Sequence, residues 1–367
     1  MGMVRFFLAI ILLCAAPGLA RSDSVPEADF FKTRTLRIVV GYATGGSSDG
    51  DPRVPARRVG HFTVGQGNGF DLYARLLALY LGRHLPGHPN VIVQNLPGAG
   101  GLRATMDVVK NAPADGLTLL MPSPQNVVEP LFDPLAAPYD PRSLGWIGSM
   151  NREVTTCAFW NPQIQSIDDL RQRRIFLGGT GPLASGAQET RAIEAVLGAQ
   201  FHIVLGYPYL MDIRYPAERG EVDGFCGLLI SSIGPGPRSD LAAGKFRLLL
   251  QTGLKPHREV GDLLPLLSGF AKDEATRDML LLAFAPWEFG KPLAAPPRTP
   301  ASRLTTLRQA FRAALEDPDL LRSASVAGLE INPVGFAEIE TLIARLHTIA
   351  PSSIEHARQI MRPASTR

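Results

Sequence analysis

The chain has 367 residues, of which 45% are hydrophobic and 19% are charged, and its formal net charge at pH 7 is +3. At roughly 100–200 residues per domain, this length predicts two domains with substantial cores. The small positive charge, with no basic stretch interleaved with aromatic residues, argues against a nucleic-acid-binding protein.

The first twenty residues are predicted to be an export signal rather than part of the fold. Residues 6–14 form an apolar run too short to span a bilayer, Arg5 precedes it, and small residues at 18–20 suit a cleavage site. Cleavage is expected near Ala20. Cys14 is an alternative lipid-anchor residue, but the leucines before it do not suit such a site, so we favour export as a soluble protein.

Strands and helices are predicted to alternate over the first part of the mature chain. The spacing of apolar residues predicts strands at 36–42, 90–94, 117–121 and 145–149, and helices at 70–85 and 102–110. Helices between strands favour a parallel sheet with right-handed crossovers. Ligands gather at the carboxyl ends of the strands in such sheets.

A second unit is predicted to begin at about Asn151, and a largely helical tail follows it. The unit is expected to hold strands at 154–160, 174–177, 201–205, 222–229 and 246–251, with helices at 187–197 and 237–244. Tail helices are expected at 274–284, 301–316, 335–347 and 352–361, with an extended connector at 292–297. The sequence therefore predicts an α/β fold.

Two cysteines remain after the expected cleavage, Cys157 and Cys226, and both lie on predicted apolar strands. In an oxidising compartment they form either a disulfide or two buried free thiols. The sequence leaves both alternatives open, because it does not give the Cα separation on which a disulfide depends.

Three glycine-rich turns, at 41–46, 96–101 and 178–186, lie where an apolar run gives way to a helical pattern. Glycine lets consecutive backbone N–H groups converge on one point, and a helix that begins there adds unpaired donors and the positive end of its dipole. Such turns predict seats for an anion. Because no convincing nucleophile, metal cluster or acid–base pair accompanies them, the sequence favours a carboxylate receptor over an enzyme.

At these residues the chain resembles the Bug-type periplasmic receptors of tripartite tricarboxylate transporters. The order and spacing of several segments carry the resemblance together: Gly41-Tyr42 with Gly45-Gly46, and residues 69–75, 93–101, 115–120, 206–208, 220–224 and 289–292. These segments run along nearly the whole mature chain.

The resemblance implies a two-lobed fold like that of type II periplasmic binding proteins, with a central, mostly parallel sheet flanked by helices in each lobe. Residues 21–151 and 246–367 would form lobe 1, and residues 152–245 would form lobe 2. It implies a periplasmic protein, not an enzyme, that closes around a small carboxylate and delivers it to the membrane subunits of a transporter. We expect a monomer and no cofactor.

Backbone amides from both lobes are expected to bind the carboxylates. They belong to Thr44, Gly45, Gly46, Gly69 and Phe70 in lobe 1, and to Thr180, Gly181, Ser185 and Gly186 in lobe 2. Tyr42 or Tyr207 could close over the carbon skeleton of the ligand. Asp71 either caps its helix or contacts a cationic group of the ligand. The 95–101 turn is expected to support lobe 1 rather than touch the ligand.

The chain departs from the family pattern in two places. Residues 47–68 interrupt the first glycine-rich turn, and their removal would leave the uninterrupted family form. This insertion, which contains two prolines and three arginines, is a lid, a charged extension of the site, or a defect that ruins it. Tyr209 stands where the family usually carries glycine, and its bulk could narrow the pocket.

Three other motifs are weaker. Ser48 matches the G-x-S-x-G pattern of serine hydrolases, but nearby prolines prevent the helix that such a nucleophile requires. His84 and His88 have the spacing of zinc ligands, but prolines around His88 break any helix through them. Residues 98–100 begin a dinucleotide fingerprint that lacks its third glycine. The alternative functions are a secreted serine hydrolase that uses Ser48 and a ligand sensor without a transport role.

Overall fold

The structure is a computed structural model that describes residues 27–44, 57–59, 62–64, 69–233 and 235–362. The predicted export signal, Gly45, Gly46, Ser48 and most of the 47–68 insertion lie outside the described residues. The helices and strands are numbered below in chain order.

The helices are α1 (Glu27–Lys32), α2 (Gly69–His84), α3 (Leu102–Asn111), α4 (Pro124–Phe132), α5 (Ile167–Gln172), α6 (Ser185–Leu197), α7 (Arg214–Glu218), α8 (Pro235–Ala242), α9 (Glu274–Phe289), α10 (Ala301–Glu316), α11 (Pro318–Ala327), α12 (Phe336–Leu346) and α13 (Pro351–Met361). The strands are β1 (Thr35–Val40), β2 (Arg57–Val59), β3 (Phe62–Val64), β4 (Asn90–Asn95), β5 (Thr118–Met121), β6 (Gly145–Ser149), β7 (Thr155–Phe159), β8 (Arg174–Gly179), β9 (Gln200–Leu205), β10 (Gly224–Leu229), β11 (Arg247–Thr252), β12 (Pro292–Ala295) and β13 (Val334–Gly335). β2 and β3 pair with each other as a short antiparallel hairpin inside the insertion.

Six strands form the first sheet, in the order β13-β6-β12-β5-β1-β4. β1 runs parallel to both β4 and β5, with Ile38 opposite Val93 on one side and Leu119 on the other. Helices α2 and α3 connect these strands, so the predicted βαβαβ order is confirmed. β5 is buried along its whole length, which explains why it is a continuous apolar run in the sequence.

Five strands form the second sheet, in the order β11-β7-β10-β8-β9. β8 runs parallel to β9 and β10, whereas β7 is antiparallel to β10 and β11. In the first sheet β12 is likewise antiparallel to both of its neighbours. Both sheets are therefore mixed, and the expectation of mostly parallel pairing was too simple. The antiparallel strands β7 and β12 are the ones that the chain enters after it crosses from the other sheet.

The position of β11 changes the expected boundary between the lobes. Arg247 lies opposite Phe159, and Thr252 lies opposite Thr155, so β11 belongs to the second sheet. The expected division placed every residue from 246 onwards in lobe 1. In the structure the chain leaves the second sheet only after Thr252. The C-terminal helix α13 also packs against α6, which follows β8 of the second sheet.

Cys157 of β7 and Cys226 of β10 lie directly opposite each other in the antiparallel pairing and form a disulfide. Both residues are almost completely buried. Of the two alternatives that the sequence leaves open, the structure has the disulfide.

A shared apolar cluster joins the two sheets. Helix α9 packs against α4, which follows β5 of the first sheet, and against α6 and α13. The buried side chains of this cluster include Phe132, Ile193, Phe284 and Met361. The two sheets are therefore held together along one side by α9 and α13.

Candidate functional site

A cavity of about 400 Å³ lies between the two sheets, where strands from both end. The residues that line it are Tyr42, Gly69, Phe70, Tyr73, Gly100, Ser123, Pro124, Gln125, Glu153, Leu183, Ser185, Gln188, Leu229, Ser231, Ser232, Trp287, Lys291, Gly328, Leu329 and Glu330. Many of them lie in the segments that follow the carboxyl ends of β1, β4, β5, β8 and β10. This is where ligands bind in open α/β sheets.

The wall from the first sheet is made largely of helix beginnings. Gly69 and Phe70 start α2, Gly100 lies in the short turn before α3, and Pro124 is the first residue of α4. Ser123 is the N-cap of α4, but its hydroxyl donates to Oε1 of Gln125 at 2.9 Å rather than capping the helix.

The glycines of the first two turns let these chain segments approach each other closely. A Cβ atom on Gly41 would overlap the backbone of Gly101. Gly101 itself has φ of 87°, in the left-handed region that favours glycine. The turns after β1 and β4 therefore pack backbone against backbone beside the cavity.

The wall from the second sheet begins with α6. Ser185 is the first residue of this helix, and its N-cap, Ala184, has no side-chain oxygen to offer. A Cβ atom on Gly186 would approach the carbonyl oxygen of Cys226 to 2.7 Å, so glycine lets the start of α6 lie against β10. Ser231 and Ser232, which follow β10, complete this wall.

The helix beginnings in both walls favour an anion. The N-caps of α3, α4 and α6 make no side-chain hydrogen bond to their first turns. The first amides of a helix have no acceptor inside the helix, and they lie at the positive end of its dipole. Helix beginnings from both sheets therefore present hydrogen-bond donors around one cavity.

A buried polar network forms part of the cavity lining. Oε1 of Glu153 accepts a hydrogen bond from Nδ2 of Asn151 at 2.6 Å and lies 3.3 Å from Nζ of Lys291. Oε2 of Glu153 accepts from Oγ of Ser231 at 2.7 Å. This network joins the first crossing between the sheets, residues 150–154, to lobe 2 and to the segment that follows α9.

Tyr73 extends this network towards the first sheet. Its hydroxyl donates to the carbonyl oxygen of Glu330 at 2.8 Å and accepts from Nδ2 of Asn151 at 3.2 Å. Burial, reinforced by the charge of Glu153, raises the pKa of the Tyr73 hydroxyl well above its usual value. The hydroxyl therefore stays protonated and serves as a donor.

The structure brings Tyr42, Gly69, Phe70 and Ser185, four of the residues expected to bind ligand, to the cavity. Gly45 and Gly46 lie outside the described residues. Their amides remain a prediction, as does ligand contact by the four residues at the cavity. Ser48, the candidate nucleophile of the hydrolase alternative, is likewise not described.

Other expected site residues do not line this cavity and have structural partners instead. The Asp71 carboxylate binds Nε of Arg75 at 3.0 Å and accepts from Nδ2 of Asn95 at 2.8 Å. Thr44 donates to Oδ1 of Asn95 at 3.0 Å. Tyr207 packs on an apolar cluster of lobe 2. Thr180, Gly181 and Gly186 lie in the third glycine-rich turn, in the same segment as Ser185.

Several residues of the lining are not among those expected from the sequence. Gly100 belongs to a turn that was expected only to support the lobe, yet it lines the cavity. The pair Ser123-Pro124 was a usable signal, because serine followed by proline marks many helix starts. Lys291 lies in the 289–292 segment of the family resemblance, but nothing in that segment indicates a place in the site. Glu153 carries no such signal, since only the tertiary fold brings it beside Lys291.

The described residues contain no helix long and apolar enough to cross a membrane. Within the same ranges there is no group of three or more histidine, cysteine, aspartate or glutamate residues that could hold a metal ion.

Comparison with known proteins finds sequence relatives that match only part of the chain. No family model matches the chain. A UPF0065 protein of Cupriavidus necator is 36% identical over 118 residues, which are 31% of this chain and 28% of that protein. BugT of Bordetella pertussis is 34% identical over 123 residues, which are 34% of this chain and 29% of that protein. The chain thus spans less than a third of the length of the curated relatives that it matches.

Solved structures match over almost the whole chain. A TctC solute-binding protein from Polaromonas has a TM-score of 0.65 at 16% identity, covering 88% of this chain and 98% of that one. BugD, a periplasmic binding protein, has a TM-score of 0.55 at 20% identity, covering 89% and 97%. A protein of R. palustris with adipate has a TM-score of 0.56 at 19% identity, with the same two coverages.

The fold is that of the Bug and TctC type of periplasmic binding protein. The two-lobed α/β architecture predicted from the sequence is therefore confirmed. In this Bug-type fold the cavity lies in the cleft between the lobes, with α2, α3 and α4 beginning on one side and α6 on the other.

Proposed function

We propose that this protein is a periplasmic receptor that binds a small carboxylate in the cleft and delivers it to the membrane subunits of a transporter, without catalysing a reaction. One observation carries the proposal: helix beginnings that lack side-chain caps, from both lobes, surround a single cavity. Such donors bind anionic groups, and carboxylates are among them.

The size of the cavity supports a small metabolite. Its volume of about 400 Å³ lies near the lower end of the range of roughly 300–1,000 Å³ that is usual for ligand pockets. A solved neighbour with the same fold is described with adipate, a dicarboxylate. Donors on two facing walls suit a ligand that carries a carboxylate at each end.

Ligand binding is proposed to close the two lobes, since each wall supplies only half of the donors. A ligand shifts the equilibrium towards the closed state by its better contacts in that state. The crossings at 150–154 and after Thr252 are the places where the backbone would bend.

A thermal-shift screen of mono-, di- and tricarboxylates, followed by calorimetry, tests this proposal on the chain from Arg21 onwards. We expect at least one carboxylate to raise the melting temperature without being turned over. A parallel protein lacking residues 47–68 shows what the insertion does: a response only from the shortened chain means that the insertion blocks the site. A response only from the full chain means that the insertion is part of the site.

A charge variant tests the location of the site. Ser232→Asp places a negative charge in the cavity lining and should weaken carboxylate binding. Ser302→Asp places the same charge on the exposed first turn of α10 and should leave binding unchanged. If no carboxylate binds to either length of chain, or if Ser232→Asp binds as tightly as the unmodified protein, the proposal is wrong.

A further inference from the structure

Lys291 is a buried cation in the lining of the cleft. Its side chain is 8% exposed, and it is the one lysine or arginine among the described residues of the lining. Its Nζ lies 4.7 Å from the ring centroid of Phe70 and 5.2 Å from that of Tyr73. The ammonium therefore faces two aromatic rings, which attract a cation without accepting conventional hydrogen bonds.

The hydrogen bonds of Lys291 are incompletely satisfied. An ammonium has three donors, and within the described part of the chain the sole oxygen that accepts from Nζ is Oε1 of Glu153, at the long distance of 3.3 Å. Glu153 does not depend on this contact, because Asn151 and Ser231 donate to it at 2.6 and 2.7 Å. Lys291 can therefore bind an added anion while Glu153 keeps its other partners.

The position of Lys291 is fixed next to the start of α2. Its backbone N–H donates to Oγ of Ser149 at 3.0 Å, and its carbonyl accepts from the amide of Met150 at 3.1 Å. Its Cε lies only 3.4 Å from the place that a Cβ atom of Gly69 would occupy. A carboxylate seated on the first amides of α2 would therefore lie within reach of the ammonium.

We propose that Lys291 is the specificity-determining residue of the cleft, and that its ammonium binds one carboxylate of a dicarboxylate. Glu153 is the positioning residue that holds the ammonium beside α2. The second carboxylate of the ligand binds the helix beginnings on the facing wall. This inference rests on the proposed function, and it adds a charged side chain to a site otherwise described by backbone amides.

The test compares linear dicarboxylates, succinate to suberate, with their monomethyl esters by calorimetry. The unmodified protein should prefer the best dicarboxylate over its monoester by about ten- to hundredfold, as expected for one additional hydrogen bond to a charged group. Lys291→Met should bring that ratio close to one, because the carboxylate beside α2 then has no cation to bind.

Three further variants separate this role from a structural one. Glu153→Gln combined with Lys291→Met removes both charges, so it avoids an unpaired buried carboxylate and should lose the preference while remaining folded. Glu153→Gln alone keeps Lys291 and keeps an oxygen that can accept from its Nζ. It removes the competing carboxylate charge, so it should bind the dicarboxylate at least as tightly. Lys110→Met removes an exposed lysine from α3 of the same lobe and should change nothing.

The possible results separate this inference from the proposed function. If the unmodified protein binds carboxylates and the Lys291→Met proteins keep the preference for dicarboxylates, the role of Lys291 is refuted and the receptor function stands. If the unmodified protein binds none of this series but binds another carboxylate in the thermal-shift screen, the role of Lys291 is refuted and the receptor function stands. If it binds no carboxylate at all, both fail. A loss of preference in the folded double variant, with Lys110→Met unaffected, supports the inference.

Discussion

Arg362, just after the last residue of α13, forms a two-point ion pair with Glu129 of α4, with Nη1 2.9 Å from Oε1 and Nη2 2.8 Å from Oε2. Its Nε also lies 3.2 Å from Oε1 of Gln188, a residue of α6 that lines the cleft. One side chain at the C-terminal end of the described chain thus connects a helix of each lobe.

Glu129→Gln should destabilise the protein measurably. Ordinary ion pairs on the surface contribute little to stability. This pair is bidentate and only about a fifth exposed, with 20% for Arg362 and 22% for Glu129. We expect a loss of about 1–2 kcal/mol in the free energy of unfolding, measured by urea denaturation.

The matched control for this prediction lies in α13, which ends just before Arg362. Arg358 and Glu355 of α13 also form an ion pair, but it is about half exposed. Glu355→Gln should cost no more than about 0.5 kcal/mol, because exposed pairs are screened by solvent. Equal effects of the two substitutions would show that Arg362 does not hold the helices together.

The disulfide between Cys157 and Cys226 closes a sequence separation of 69 residues. Replacing both cysteines by alanine should lower the free energy of unfolding by about 2–5 kcal/mol, the usual cost of losing a native disulfide. Because both sulfurs are buried, a mild reductant should leave the native protein unchanged. The bond should be reduced, and the melting temperature lowered as a result, only once unfolding has exposed it. Melting curves with and without reductant test this. An unchanged stability of the double-alanine protein would contradict the prediction.

Much of the fold could be predicted from the sequence, because its regular elements have strong local signals. The helix predicted at 70–85 is observed at Gly69–His84, and the one predicted at 301–316 is observed at the same residues. Both have apolar residues at helical spacing. The strand predicted at 90–94 is likewise observed at Asn90–Asn95.

Two elements differ from what the sequence predicts, and tertiary contacts are the cause in both. Residues 292–297 were expected to be a connector because three prolines lie in them, yet Pro292–Ala295 forms β12 between β5 and β6. Helix α9 was expected to end at Phe284 but continues through Pro286 to Phe289. In both places burial against distant parts of the chain outweighs the local effect of proline.

The site could be predicted only in part for a related reason. The glycine-rich turns are local patterns, and they correctly indicated helix beginnings at the cavity, such as Gly69 and Ser185. Glu153 and Lys291 are separated by more than one hundred residues. Lys291 lies in the 289–292 segment of the family resemblance, but neither residue has a local pattern that indicates a ligand contact. Their contact exists because the first crossing, residues 150–154, passes beside the segment between α9 and β12.

Glu288 makes stability depend on pH. Its side chain is 5% exposed and lies 2.6 Å from Nε of Arg152, while Arg152 also binds Glu338 of α12, which pairs with Lys255. Burial raises the pKa of the Glu288 carboxyl above its usual value of 4.5, and the neighbouring cations only partly oppose this.

The raised pKa of Glu288 decides whether stability rises or falls with pH. A carboxyl whose pKa is higher in the folded state stabilises the fold below its unfolded pKa, and this contribution is lost as the pH rises through the folded value. The free energy of unfolding of Glu288→Gln should therefore rise relative to the unmodified protein as the pH increases above 4.5. Urea denaturation at a series of pH values measures this difference, and a difference that is constant or falls with pH would refute the assignment.

Gly290→Ala should be among the most destabilising substitutions near the cleft. Gly290 has φ of 46° and ψ of −98° at the end of α9, and a Cβ atom there would overlap both the carbonyl and the side-chain oxygen of Asn151. Because Asn151 donates to Glu153 and Tyr73, its displacement would also disturb the polar network of the cavity. We expect a loss of about 3 kcal/mol or more in urea denaturation, since backbone strain and a steric clash add.

Gly198→Ala is the matched control, because Gly198 has φ of 66° but open space around the Cβ position, and strain alone should cost about 1 kcal/mol. If both variants lose the same stability, the close approach of the two crossings at Gly290 has no energetic importance.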